Sequence, residues 1–185
     1  YKTYPLISQY LSGTTASGLY EAKLAREEFS GEVHVFAPAF KDADLEELLE
    51  ITDHIVFNSE RQLRKHGARC REAGISVGLR LNPQCSTQGD HALYDPCAPG
   101  SRFGVTLDKI PNDLLDLVDG LHFHTLCEQG ADDLQTTLKA VEEQFGAYLH
   151  QVKWLNMGGG HHITRDDYDV DLLISEIKRI RETYN

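Results

Sequence analysis

Short apolar runs and amphipathic stretches alternate along the chain with little else between them. Val33–Ala37 (closed by Pro38), His54–Phe57, Ile75–Leu81 and Gly120–His124 are short runs rich in β-branched and aromatic residues. Bounded by Pro, Asn or Gly, such runs are the pattern of strands. Between them, apolar residues recur every three or four positions, as on one face of a helix. Leu19, Ala22, Leu24 and Ala25 form that face in a helix predicted from about Gly18 to Phe29. Leu45, Leu48, Leu49 and Thr52 form it in the next, with Asp42 or Asp44 as the cap. A third helix, Glu60–Ala73, follows the cap residues Asn58 and Ser59 and stops at Gly74. Further helices are predicted over Pro111–Val118, over Ala131–Tyr148 with Leu134, Leu138, Val141 and Phe145 inward, and over Val170–Tyr184. At the start, Lys2–Leu11 reads as a helical approach to a short strand around Tyr10–Ser12, and Ser12–Gly18 as a hydroxyl-rich turn. A last strand, Lys153–Met157, runs into Gly158, Gly159 and Gly160. Gln84–Arg102 is the one long irregular stretch, and loops of that length tend to be functional.

Six strand–helix units with no hairpin signal imply a parallel sheet, either doubly wound or closed as a (β/α)8 TIM barrel. A doubly wound sheet places its dominant glycine loop early, whereas barrels hold phosphate on late βα loops. The glycine triplet ends the sixth strand, so the barrel fits better. Six units are two short of eight, and the expectation is a piece of a barrel. There is no interdomain linker and no repeat beyond the unit itself.

Charge narrows the partners. With 29 acidic against 18 basic residues, the net charge of −11 argues against nucleic acid or an anionic membrane surface. No apolar run approaches the length needed to span a bilayer. The chain begins at Tyr1 rather than Met and shows no signal peptide. Cys70, Cys85, Cys97 and Cys127 lack CxxC spacing, so reduced thiols in a cytoplasmic protein are expected.

In a barrel, the C-terminal ends of strands share one site. Those ends carry Thr14, Thr15 and Ser17; Pro38; Asn58; Arg80 and Asn82; His122, His124 and Cys127; then Gly158–His162. Glycines let backbone N–H groups approach a bound group closely, most often a phosphate. Arg80 offers a planar fork to an anion or a ring substituent. Such a set suits a flat, phosphate-bearing ligand. His122 and His124, two apart on one strand face, include at least one candidate for a plain hydrogen-bonded core histidine. His122, His124 and Cys127, with Glu128 the nearest carboxylate, also have a spacing possible for zinc. That alternative is a metal-dependent hydrolase, and the balance of residues is against a metal site. The acidic faces Glu46-Glu47-Glu50 and Asp132-Asp133 read as solvated surface.

At these strand ends the chain resembles a known family. Leu11-Ser12-Gly13-Thr14-Thr15-Ala16-Ser17-Gly18-Leu19-Tyr20-Glu21-Ala22, Gly78-Leu79-Arg80-Leu81-Asn82-Pro83, Pro99-Gly100-Ser101-Arg102-Phe103-Gly104, Gly120-Leu121-His122-Phe123-His124-Thr125-Leu126-Cys127-Glu128 and Leu155-Asn156-Met157-Gly158-Gly159-Gly160-His161-His162 are similar to segments of carboxynorspermidine decarboxylases, in the same order. These are fold-type III pyridoxal-phosphate enzymes, with alanine racemase and the ornithine and diaminopimelate decarboxylases. The resemblance implies that His124 stacks on the cofactor ring, that Gly158, Gly159 and Gly160 hold its phosphate, and that Arg80 lies beneath it. Cys127, at the position of the usual phosphate-binding serine, and Thr15 complete the implied set. Thr-Leu-Cys-Glu, in place of a Gly-Ser pair, points to the carboxynorspermidine branch. The family's Schiff-base lysine is expected upstream of Tyr1, leaving no catalytic residue in this chain. The eighth strand and a C-terminal β-domain are expected beyond Asn185. The implied full protein is a cytoplasmic homodimer that releases CO₂ from carboxynorspermidine or carboxyspermidine, with the isolated piece inactive. Ornithine or meso-diaminopimelate is the alternative substrate, and a non-catalytic phosphate-binding barrel fragment the alternative role.

Overall fold

The computed structural model describes residues 2–89 and 92–184; Asp90 and His91, inside the predicted irregular stretch, lie outside the described residues. The strands are β1 (Gly13–Ala16), β2 (Glu32–Phe36), β3 (His54–Phe57), β4 (Ser76–Arg80), β5 (Gly120–His122) and β6 (Trp154–Asn156). The helices are α1 (Tyr4–Ile7), α2 (Leu19–Glu28), α3 (Asp42–Ile51), α4 (Glu60–Glu72), α5 (Leu114–Leu117), α6 (Ala131–Leu149) and α7 (Val170–Tyr184). The strands neighbour one another in chain order, β1-β2-β3-β4-β5-β6, without the reversal that marks a doubly wound sheet. Two compact units divide the chain: Tyr1–Leu79 with Pro111–Gly120, and Arg80–Ile110 with Leu121–Asn185.

In the first unit β1 to β4 pair in parallel, and their register lines up Thr15, His34, His54 and Ser76 across four strands. The alternate residues Val33 and Val35 are buried with Ala16, Leu19, Ala22, Ala25 and Leu48. Strand starts are fixed by one repeated device. Asp53 exchanges both of its backbone-side partners with Val33: its N–H donates to the Val33 carbonyl (2.9 Å) and its carboxylate accepts from the Val33 N–H (2.8 Å). Asp119 does the same with Val77, at 2.7 and 3.0 Å. A carboxylate accepting a backbone N–H makes a charge-assisted bond that satisfies a donor the ladder leaves over.

Several predicted boundaries move. The first strand is Gly13–Ala16, within the predicted turn, because β-branched Thr14 and Thr15 find a parallel partner in β2. Leu24 is on the exposed side of α2, while Leu19, Ala22 and Ala25 are buried. Neither Asp42 nor Asp44 caps α3: the cap is Lys41, and both acids sit in the first turn, where the helix dipole favours them. Ser59 caps α4 by accepting from the Gln62 N–H, whereas Asn58 donates its own N–H to the Gln62 side chain. The helix predicted at Pro111–Val118 is regular only over Leu114–Leu117. The predicted strand to His124 is regular only as far as His122.

In the second unit Leu121, Phe123 and Leu126 are buried, as are Leu134, Leu138, Val141 and Phe145 of α6. Arg179 of α7 clamps the two long helices together with a bidentate pair to Glu142 (2.8 and 2.7 Å), and also holds Glu176. Among the described residues no helix is long and apolar enough to cross a membrane.

Candidate functional site

The second unit gathers Arg80, His122, His124 and the glycine turn around the ends of β4, β5 and β6. Leu81 donates its N–H to the His122 carbonyl (2.6 Å), and Phe123 donates to the Asn156 carbonyl (3.0 Å). These bonds carry the strand ends forward in register. Arg80 is only 4 % exposed. Its Nη2 donates to the His124 carbonyl (2.8 Å), and its guanidinium lies 4.8 Å from the centre of the Phe103 ring. Burial lowers its pKa to about 10, so it stays charged near neutral pH. Asn82 anchors the Pro99–Gly104 segment by donating to the Phe103 carbonyl (3.0 Å). That bond explains why an otherwise exposed phenylalanine can stay beside the arginine.

The two histidines differ. His122 is buried, and its Nδ1 lies 3.0 Å from Asn156 Oδ1. Burial, helped by Arg80 and His124, lowers its pKa to about 4 despite the Asn156 bond. It is the core histidine of the pair. His124 is half-buried, and its pKa is also lowered, by burial first and then by Arg80 and His161. Both rings are therefore neutral at pH 7.

The glycine turn is pressed against the chain that follows β5. A side chain on Gly158, where φ is +70°, would strike the Phe123 carbonyl and His124. One on Gly160, where φ is +87°, would strike the Leu126 carbonyl. Both glycines are thus demanded by the protein's own packing. Gly159 is different: a Cβ there would meet only His124 Cε1, at an ordinary 3.9 Å. It marks where a bound group has room. Two residues hold the turn in place that the sequence reading did not single out. Asn156 Oδ1 accepts from both His122 and the Gly158 N–H (2.8 Å), linking the core histidine to the turn. Tyr168, buried, bonds His161 through its hydroxyl and Nδ1 (2.6 Å). Asn at the last strand position before glycines was the available signal for the first. Nothing local marks Tyr168.

Cys127 lies beside Gly160 and is exposed; its N–H donates to Gln129 Oε1 (3.2 Å). Gln129 in turn accepts from Gln88 and donates to Thr87, which ties the loop after β4 to this turn. Glu128, next in the chain, takes a φ of +55°, an uncommon conformation for a side-chain-bearing residue. Thr15 belongs to the first unit, where it is exposed on β1 opposite His34. An apolar hollow of about 210 Å³ between α6, β6 and α7 is lined by Leu149, Trp154 and Ile177, and by none of the predicted site residues. His122, His124 and Cys127 do not converge on one point. Among the described residues the one group of three metal-type ligands is Glu32, His34 and His54.

A buried guanidinium, a half-buried imidazole and a glycine with open space beside it come together at these strand ends. No family model matches the chain. It is 42 % identical over 179 residues to a carboxynorspermidine/carboxyspermidine decarboxylase of Campylobacter jejuni, covering 97 % of this chain and 46 % of that protein. The chain is similar to decarboxylases of carboxylated polyamines. A carboxyaminopropylagmatine decarboxylase of Synechocystis is 40 % identical over 98 % of the chain and 46 % of its own length. The crystal structure of the Campylobacter jejuni carboxynorspermidine decarboxylase, complexed with norspermidine, superposes with a TM-score of 0.88 at 40 % identity, over 99 % of this chain and 46 % of that one. A diaminopimelate decarboxylase structure at 20 % identity, TM-score 0.71, over 93 % of this chain and 44 % of that one, shares the fold. The chain spans about half the length of the curated relatives it matches.

Proposed function

We propose that these residues are strands two to seven of an alanine racemase-like (β/α)8 barrel, in a pyridoxal-phosphate enzyme that decarboxylates carboxynorspermidine or carboxyspermidine to norspermidine or spermidine. The observation that carries the reading is the 40 % identity and 0.88 TM-score, across 99 % of the chain, with a carboxynorspermidine decarboxylase. On this reading the cofactor's lysine, the last strand and a C-terminal β-domain belong to other parts of a cytoplasmic homodimer, and the 185 residues alone are inactive.

The residues present fit the cofactor. Pyridoxal phosphate supplies an electron sink for the pair left when CO₂ departs. Gly159 leaves room for a phosphate beside backbone N–H groups, with Gly158 and Gly160 shaping the turn. His124 presents a ring to the cofactor's face. Its neutrality, which burial and Arg80 enforce, lets it lie against a cationic ring without repulsion. Arg80 supplies a fixed positive charge in a water-poor setting, where it acts strongly on an anion. Cys127 is assigned a further contact through its place beside Gly160. Asn156 and His122 hold the turn rather than touch the ligand.

The test is turnover by the full-length protein of carboxynorspermidine, carboxyspermidine, carboxyaminopropylagmatine, ornithine and meso-diaminopimelate, side by side. Carboxynorspermidine or carboxyspermidine should be the best substrate by kcat/KM. Activity confined to ornithine or meso-diaminopimelate would overturn the assignment. A protein that releases no CO₂ from any of them, yet retains pyridoxal phosphate, would support a binding role instead.

A further inference from the structure

We propose that Glu32, His34 and His54, in the first unit, form a binding site for a divalent transition-metal ion of the zinc type. The three side chains come from the N-terminal parts of two neighbouring strands. Glu32 and His34 are two apart on β2 and so share a face. His54 opens β3 directly opposite His34 in the register. The fold thus brings both imidazoles and the carboxylate to one spot without any loop.

The distances suit a metal. His34 Nε2 lies 2.9 Å and His54 Nε2 4.0 Å from the same Glu32 oxygen, and the three donor atoms all fall within 4.8 Å of one another. Bonds of about 2.0–2.1 Å in a tetrahedral site separate ligand atoms by roughly 3.4 Å. The observed spacings bracket that value. Two imidazoles, one carboxylate and an open position for water is a donor set that zinc takes readily. The rings are stacked, with centres 4.0 Å apart and planes 6° from parallel, so both must tilt to aim their lone pairs at one ion. The outer torsion of histidine is broad, and such tilts are inexpensive.

Carboxylates surround the spot: Asp53 and Asp119 as well as Glu32 act on His54, against the burial and the His34 ring that lower its pKa. Arg26 offsets one of them by pairing with Asp53 at 2.6 Å. The side chains remain reachable, with His34 28 %, His54 20 % and Glu32 56 % exposed.

The experiment uses full-length protein without a histidine tag, stripped with chelator and dialysed against buffered Zn²⁺, with protein-bound zinc then counted. Wild type should hold one more zinc per chain than Glu32→Gln or His54→Gln, with affinity falling at least about tenfold in either variant. Co²⁺ in place of Zn²⁺ should give visible d–d absorption in wild type and lose it in both variants. If His54→Gln fails to fold, Glu32→Gln, at an exposed side chain, decides alone. Equal zinc in wild type and variants, or no zinc bound by wild type at millimolar free metal, would overturn the proposal. These readouts are independent of whether the protein decarboxylates anything.

Discussion

Two histidine pairs lie on strands of the two units or just beyond a strand's end, and their charged neighbours have opposite sign. His34 and His54 stack in partial contact with solvent and face the carboxylates Glu32, Asp53 and Asp119. His122 and His124 meet edge to face, 6.3 Å apart, with the guanidinium of Arg80 as their charged neighbour. The same residue type thus has carboxylates as its charged neighbours in one place and a guanidinium in the other. Burial and the sign of the neighbours decide the difference, not the presence of histidine.

The largest expected effect comes from closing the glycine turn on which the buried pair rests. Gly160→Ala forces a side chain into positive φ and against the Leu126 carbonyl. Strain and overpacking together should cost on the order of 4 kcal/mol, read as a shift in the urea midpoint. Gly159→Ala should cost less than about 1 kcal/mol, yet weaken cofactor retention in the full-length protein. If the two alanines destabilise equally, the turn is not built as described.

The next effect is acid sensitivity. His122 has a pKa of about 4 in the folded protein against an ordinary value near 6.5. Between those values the unfolded chain binds the extra proton, so stability rises with pH across that window. Its contribution is complete above about pH 6.5 and is lost as pH falls toward 4, by roughly 3 kcal/mol at most. His122→Asn should flatten that part of the curve of unfolding free energy against pH. An unchanged slope would place the acid sensitivity in another histidine.

Much of this contrast was legible in the chain, but unevenly. The alternation of short apolar runs with 3.6-period stretches located the second to sixth strands to within a few residues, most clearly the buried β3, β4 and β5. Boundaries failed where tertiary pairing overrode local signals: Thr14 and Thr15 became strand because β2 was there to pair with. Arg80, His124 and the glycines stood out because charge, imidazole and triple glycine are rare at strand ends. Asn156 and Tyr168 did not, since their roles consist of partners 34 and 7 residues away. The Glu32–His34–His54 cluster was hidden for the same reason. Its two halves belong to different strands, and only the register joins them.

A smaller effect separates stacking from proton chemistry at His124. Phe in its place keeps a flat ring, whereas Ala removes it, and an aromatic contact is worth about 1 kcal/mol. His124→Ala should therefore weaken cofactor retention by up to roughly tenfold, with Phe in between. The reverse ordering, with Phe no better than Ala in turnover while both hold cofactor equally, would mean that the imidazole moves a proton.

The smallest effect is at Glu32 in metal-free protein, and its sign with pH is what matters. Glu32 is more than half exposed, so its pairing with His34 contributes about 1 kcal/mol or less at any pH. Burial and His34 already lower the pKa of His54, and Glu32 opposes that shift. Glu32→Gln removes the opposition and lowers the His54 pKa further. A histidine with depressed pKa loses stability as pH falls below its unfolded value, and a deeper depression loses more. The variant should therefore be close to wild type at pH 8 and measurably less stable at pH 5.5, by a few tenths of a kcal/mol. Urea unfolding at the two pH values, in the presence of chelator, reads the difference. A variant equally destabilised at both would show that Glu32 acts through packing rather than charge, and the contrast between the two histidine pairs would lose its electrostatic basis.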